Sequence, residues 1–216
     1  MAKVWSAFYQ EVIPSGLGDA PLSVVDNAVR NATIEFCDRS FVLRAEITPI
    51  DVLAADTGEY SWTPPANRKV VRAERVFFNK KELEPKTPDE ISDMYAYWPD
   101  AEGTPLYFMQ QRVEKIIIVP APNIDMVAAI RATVSIKPTR AAADIDDEIW
   151  EKYLETIACG ARARLYFMKN MPYYDPQKAQ AEYSIFEAAI SMAALKAFHG
   201  HVRSRNNQTR GWRRFL

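Results

Sequence analysis

Cysteine and histidine are scarce in this chain of 216 residues, with two of each. Cys37 and Cys159 each sit inside an apolar helical pattern, too few and too scattered for a disulfide framework or a thiolate zinc site. Synthesis in a reducing cytoplasm is the expectation. No apolar run approaches the roughly 18 residues that a membrane helix needs, and the start MAKVWSAFYQEVIPSG has one Lys and no long apolar block, so it reads as no signal peptide. A soluble chain without membrane contact is expected. Glycine is low, at seven against 14 prolines. No G-x-S-x-G elbow or G-x-x-x-x-G-K loop occurs, and Gly16-Leu17-Gly18 lacks the preceding strand, third glycine and later acid of a dinucleotide site. His199 and His201 form an H-G-H at a helix end with no Cys or clustered carboxylate nearby, which favours C-terminal capping over metal ligation. The expected catalytic, cofactor and metal residues are therefore none, and the chain reads as no enzyme.

What is present is an ordinary globular composition, 48% apolar, with 27 Lys and Arg against 28 Asp and Glu. A chain of this size buries roughly 70% of its unfolded surface, enough for a core without staples. Charge is balanced overall but uneven along the chain. Residues 188–216 contain no acid, yet hold Lys196, Arg203, Arg205, Arg210, Arg213 and Arg214. Conversely, DIDDE at 144–148 places four carboxylates in five residues. Capping of the following helix explains that cluster more simply than a hard cation does.

Periodicity divides the chain. Residues 1–20 form a leader rich in aromatics, Trp5, Phe8 and Tyr9 among them. Leu22, Val25, Val29, Ala32 and Phe36 then recur three or four apart, with Asp19 or Ala20 as cap and Pro21 in the first turn, which predicts a helix over 21–39. Alternation follows: Phe41, Leu43, Ala45 and Ile47 on one face, the β-branched runs KVVRAERVFF and KIIIV, and Met126, Ala128, Ile130, Ala132, Val134 and Ile136 on one side of a strand. Prolines fall between these runs, so 41–139 reads as an antiparallel β-domain with long loops. The longest is 83–107, an ordered loop carrying Met94, Tyr95, Tyr97, Trp98, Leu106 and Tyr107; loops of that length are usually functional. After Pro138 the helical period returns. Trp150, Tyr153, Ile157, Ala161, Leu165 and Met168 trace one stripe, Asp175-Pro176 opens a second helix, and Tyr183, Phe186, Ile190, Ala193 and Ala197 trace its stripe. Small residues at Ala158, Gly160, Ala161 and Ala163 predict close approach of these two helices.

The last segment, VRSRNNQTRGWRRFL, has no periodic apolar face but ends on Trp212, Phe215 and Leu216 among Arg210, Arg213 and Arg214. Arginine with aromatic anchors is the composition of a docking segment that orders on its partner. Two other readings stay open from the residues alone: the rings fold back onto the chain's own core, or the arm binds nucleic acid through phosphate contact and stacking.

The strings VVRAERVFFNKKELEP, GTPLYFMQQRVEKIIIVPAPN, MVAAIRATVSIKPTR and DDEIWEKYLETIACGARARLYFMKNMPYYDPQKAQAEYSIFEAAI, in this order, resemble the head-to-tail adaptor (connector or neck) proteins of tailed bacteriophages, the group that includes tail tubular protein A of short-tailed phages. The resemblance covers about residues 21–200, and the last string carries it most strongly, with its Trp-led helix, Gly-Ala-Arg-Ala step, proline break and Asp-Pro helix start. It implies a virion protein at the head–tail junction, assembled in the host cytoplasm, that forms a ring of usually twelve copies between the portal and the tail nozzle or next tail protein. DNA passes through the channel without sequence-specific binding. The resemblance places portal docking on 203–216, that is Arg203, Arg205, Arg210, Trp212, Arg213, Arg214, Phe215 and Leu216, and a tail-facing role on 83–107. The leader has no matching motif. A ring needs two complementary surfaces per copy, and both chain ends read as segments for locking onto neighbours.

The expected fold class is α+β: a helical body over 21–40 and 140–200 with one N-terminal and two C-terminal helices, an inserted antiparallel β-domain over 41–139, and an extended arm over 201–216. The expected function is a structural head-to-tail adaptor. The alternatives are a tail-completion or terminator protein and a nucleic-acid binding module using the basic arm.

Overall fold

Trp5, Phe8 and Val12 recur three and four residues apart, a helical spacing that puts them on one face. In the computed structural model, which describes residues 3–13, 17–54, 57–95 and 97–199, a strand β1 (Lys3–Val4) leads into a 3-10 turn (Trp5–Phe8) and the short helix α1 (Tyr9–Val12). All three side chains are buried. The Trp5 indole N–H donates to the Ala142 carbonyl at 2.7 Å, the Arg30 guanidinium lies 4.9 Å from its ring, and Phe8 meets Trp150 edge-on at 5.0 Å. The aromatic leader thus packs on its own chain, which corrects the expectation that it serves as a segment for locking onto a neighbour.

The chain continues through helix α2 (Leu22–Ser40), strands β2 (Arg44–Glu46), β3 (Ile50–Val52), β4 (Glu59–Ser61), β5 (Arg68–Phe78), β6 (Lys81–Glu82) and β7 (Glu84–Pro85), and helix α3 (Pro88–Met94). Strands β8 (Tyr107–Arg112), β9 (Lys115–Val119), β10 (Met126–Pro138) and β11 (Asp144–Ile145) follow, then helices α4 (Asp147–Tyr166) and α5 (Pro176–His199). The fold is mixed α+β with antiparallel sheets. Val25, Val29, Ala32 and Phe36 bury one face of α2 as their spacing predicts, while Leu22, its first residue, stays exposed. Pro21 is itself the N-cap, so the helix starts one residue later than expected.

The larger sheet runs β2-β10-β5-β6, with β3 also paired to β10. Strand β10 is its spine: Ile130, Ala132, Val134 and Ile136 are buried on the face that lies against the helices and core. Alternation fails at the start of the strand. Ala128 takes a left-handed φ of 52° and the register to β3 shifts between Met126 and Ile130, so the pleat is interrupted there. A second sheet runs β4-β9-β8-β7, antiparallel except for the two-residue β7, which pairs parallel to β8. Gly58, at φ +76°, admits the close passage of this sheet, since a Cβ there would sit 2.7 Å from the Ile118 carbonyl oxygen. The N-terminal β1 pairs with β11 just before α4.

Helices α4 and α5 form an antiparallel hairpin. Asp175 N–H donates to the Tyr166 carbonyl at the turn, Arg162 meets Glu182, Gly160 meets Phe186, and Tyr153 lies level with Ala197 across a shared groove. Both helices pack on α2. Helix α4 ends at Tyr166, several residues before Met171 and Pro172, and kinks at Tyr153, whose φ of −132° is not helical. A buried core runs continuously from Phe36 on α2 through Phe186 on α5 to Val134 in the large sheet.

Candidate interface surfaces

Among the described residues no group of three or more His, Cys, Asp or Glu side chains is placed to hold a metal ion. Both thiols are buried, and burial pushes Cys159 up to about 12 and Cys37 higher still, so neither is a ready nucleophile at neutral pH. His199 is the last residue of α5, its ring 5.5 Å from that of Phe198; His201 lies outside the described residues. No described helix is long and apolar enough to cross a membrane.

The first surface is the lobe formed by 83–107. A long loop is expected there, yet residues 88–94 are helical. The reason is a capping box: Thr87 Oγ1 accepts from the Glu90 N–H at 3.3 Å while the Glu90 carboxylate accepts from the Thr87 N–H at 2.8 Å, with Pro88 at the first helical position. That amide holds the Glu90 carboxyl below its usual range. The string T-P-D-E carries this signal, but seven residues are too short for a periodic stripe. The expected site residues divide in two. Tyr95, Trp98 and Tyr107 lean on a small separate core of Ile91, Met109 and Val119, whereas Met94, Tyr97 and Leu106 are exposed, Tyr97 by 70%. Around them stand six carboxylates, Glu84, Asp89, Glu90, Asp93, Asp100 and Glu102, against one ammonium, Lys86. The lobe is anchored to the large sheet where the Gln110 side-chain oxygen accepts from the Ala73 N–H at 2.8 Å.

The second surface is the helical body, locked by ion pairs between its helices. Arg162 grips Glu182 with two N–H groups at 2.9 Å, both side chains mostly buried. Arg39 binds Glu187 from α2, which, with Tyr183 assisting, draws the Glu187 carboxyl down to about 2. Arg164 reaches Glu35 and lies over the Phe186 ring. The acid cluster before α4 belongs to this framework. Asp146 is the N-cap residue but makes no side-chain capping bond. Its carboxylate accepts instead from the nearly buried Arg68, at 3.0 Å from Nε, with Asp144 3.4 Å from Nη2. Direct capping by Asp146 is thereby corrected: Asp144 and Asp146 compensate an arginine that β5 carries inward, while Asp147 and Glu148 lie in the first turn of α4, where they complement the helix dipole as expected.

The third expected surface, the arm with Arg203, Arg205, Arg210, Trp212, Arg213, Arg214, Phe215 and Leu216, lies outside the described residues. Its origin is described: α5 runs to His199, and Arg44 on β2 donates to the Ala197 carbonyl at 2.7 Å, fixing that end of the helix to the sheet.

Compared with known proteins, residues 6–212 match the family model described as SU10 adaptor protein. None of the curated proteins matches the chain.

Proposed function

The chain belongs to the SU10 adaptor protein family, a family of structural phage proteins, and from that premise we propose that it joins the portal to the tail as a closed ring of twelve copies through which DNA passes. Membership makes it a virion component that oligomerises and meets portal and tail proteins. The finer assignment is that residues 203–216 dock into portal crevices, with Trp212, Phe215 and Leu216 as apolar anchors and Arg205, Arg210, Arg213 and Arg214 pairing acidic portal groups. The lobe at 83–107 faces the tail nozzle or next tail protein through Met94, Tyr97 and Leu106.

The observation that carries this reading is the family match, which extends through the helical body and into the arm as far as residue 212. Charge supports it. A formal net charge of −1 leaves a ring wall that does not grip a polyanion through counterion release. The acidic, apolar lobe suits a protein partner and repels DNA. The cationic arm suits an acidic crevice.

Binding of portal by the full chain and by a chain ending at His201 tests the docking role. Each buried anchor contributes on the order of 2 kcal/mol, so the shortened chain should bind portal at least about a hundredfold more weakly. Undiminished affinity would overturn the assignment of the arm.

A further inference from the structure

Helix α5 is apolar on two sides. Its inner side buries Ala179, Phe186, Ile190 and Ala193 against the chain's own core. Its outer side exposes Ala181, Ile185, Ala188, Met192 and Leu195, spaced four, three, four and three residues apart, with Phe198 beyond them. Ile185, Met192 and Leu195 are each more than half exposed, and Phe198 is 79% exposed. A surface helix carries polar residues outward; a helix apolar all round is covered on both sides. The 3.5-residue spacing, with alanines between larger side chains, is the pattern that seats one helix on another. Between Lys178 and Lys196 this outer side carries no exposed charge, as in the desolvated centre of an interface. At 24 residues the helix offers a strip about 36 Å long.

We propose that the outer side of α5 is the seam between neighbouring copies, and that it packs on α4 of the next copy, with Lys196 opposite Glu151 and Glu155. This rests on the ring reading above and adds to it the contact that closes the ring. Charge complementarity selects the partner. Lys196 is exposed, and Glu151 and Glu155 are exposed on α4 one turn apart; among the described residues none of the three has an ion-pair partner. A ring contact is heterologous, one patch on a different patch, and the proposed seam sets the ring axis along α4 and α5, so that rotation keeps every residue at its own height. In the hairpin, Lys196 lies level with Glu148, Lys152 and Tyr153 of its own α4. It therefore meets the next copy's α4 at the level of Glu151 and Glu155. An α5-to-α5 contact lacks this complementarity, since the exposed charges on that side, Lys178 and Lys196, have the same sign.

The test uses full-length chains carrying one new thiol each, Lys196→Cys or Glu155→Cys, under mild oxidation, with assembly followed in parallel by sedimentation. Both native thiols are buried and stay silent. Mixing the two variants should give a covalent dimer at least tenfold more abundant than either gives alone. In a separate chain, Met192→Glu should weaken self-association at least tenfold while leaving the unfolding transition of the subunit unmoved, because that side chain is 57% exposed. Assembly without the mixed cross-link, or dimers from Lys196→Cys alone, would overturn this seam and leave the adaptor reading standing. A chain that stays monomeric at every concentration and in the presence of portal would overturn both.

Discussion

At the scale of single residues, the helical body depends on contacts that spacing foreshadows but does not define. Gly160 was legible as a small residue facing α5; that its partner is the Phe186 ring, 2.7 Å from any added Cβ, emerges only from the packed hairpin. Gly160→Ala gains helix propensity of about 1 kcal/mol, yet it forces the ring aside in a filled core at a cost of about 1–3 kcal/mol. A net loss of stability is expected in urea titration, and a gain would show that the ring gives way freely. Glu187 gives a pH dependence. Its carboxyl titrates near 2 in the folded protein against an ordinary 4.5, so its contribution is complete above about pH 4.5 and disappears as the pH falls toward 2. The pair with Arg39 is about a third exposed, which limits its contribution to about 1 kcal/mol or less. Glu187→Gln should therefore lower stability at neutral pH and flatten the acid limb of a stability-versus-pH curve. An unchanged acid limb would contradict the pairing. The partner of the acid cluster, Arg68, is not foreshadowed by any local pattern. The DIDDE carboxylates were visible, but their partner lies on a strand more than seventy residues away, and no local pattern connects the two.

At the scale of elements, long periodic segments were legible and short ones were not. The alternation of β10 holds from Ile130 to Ile136 because one face is buried throughout; it breaks at Ala128, where a left-handed residue interrupts the pleat. Helix α3 reads as loop in the sequence because its seven residues span barely two turns and only its cap announces it. Thr87→Ala removes that cap and should loosen α3 by about 1 kcal/mol, seen as roughly fivefold faster exchange of the Ile91 and Tyr95 amides. Unaltered exchange would mean that packing alone holds the helix. The N-terminal segment departs from its sequence expectation for a different reason. Aromatics ahead of the first long helix read as free and sticky, whereas Trp5 and Phe8 complete the core beside α4. Phe8→Ala should lower global stability by about 3–5 kcal/mol. A loss under about 1 kcal/mol in chemical denaturation would mark the segment as peripheral.

At the scale of the whole molecule, the α+β class with antiparallel sheets followed from one change of period after α2 and another after Pro138, because the two repeats, 2 and 3.6, cannot be built on one element type. The candidate surfaces were legible only in part. The composition of 83–107 points to an ordered segment, but which aromatics form the lobe's own core and which stay exposed depends on Ile91, Met109 and Val119 gathering beneath them. The outer stripe of α5 is masked in the sequence by the inner stripe, which alone satisfies the amphipathic pattern. The described residues present two surfaces suited to protein contacts, the acidic lobe with exposed Met94, Tyr97 and Leu106 and the uncovered apolar flank of α5.

The proposed role requires that this chain close a ring beneath the portal and grip it with its last residues. Electron microscopy of particles reconstituted from portal and full-length chain tests it most directly. A closed ring is expected on one face of the portal, with density for residues 203–216 of each copy lodged between portal subunits. Particles without a ring, or a ring whose terminal residues fold back along their own α5, would contradict it.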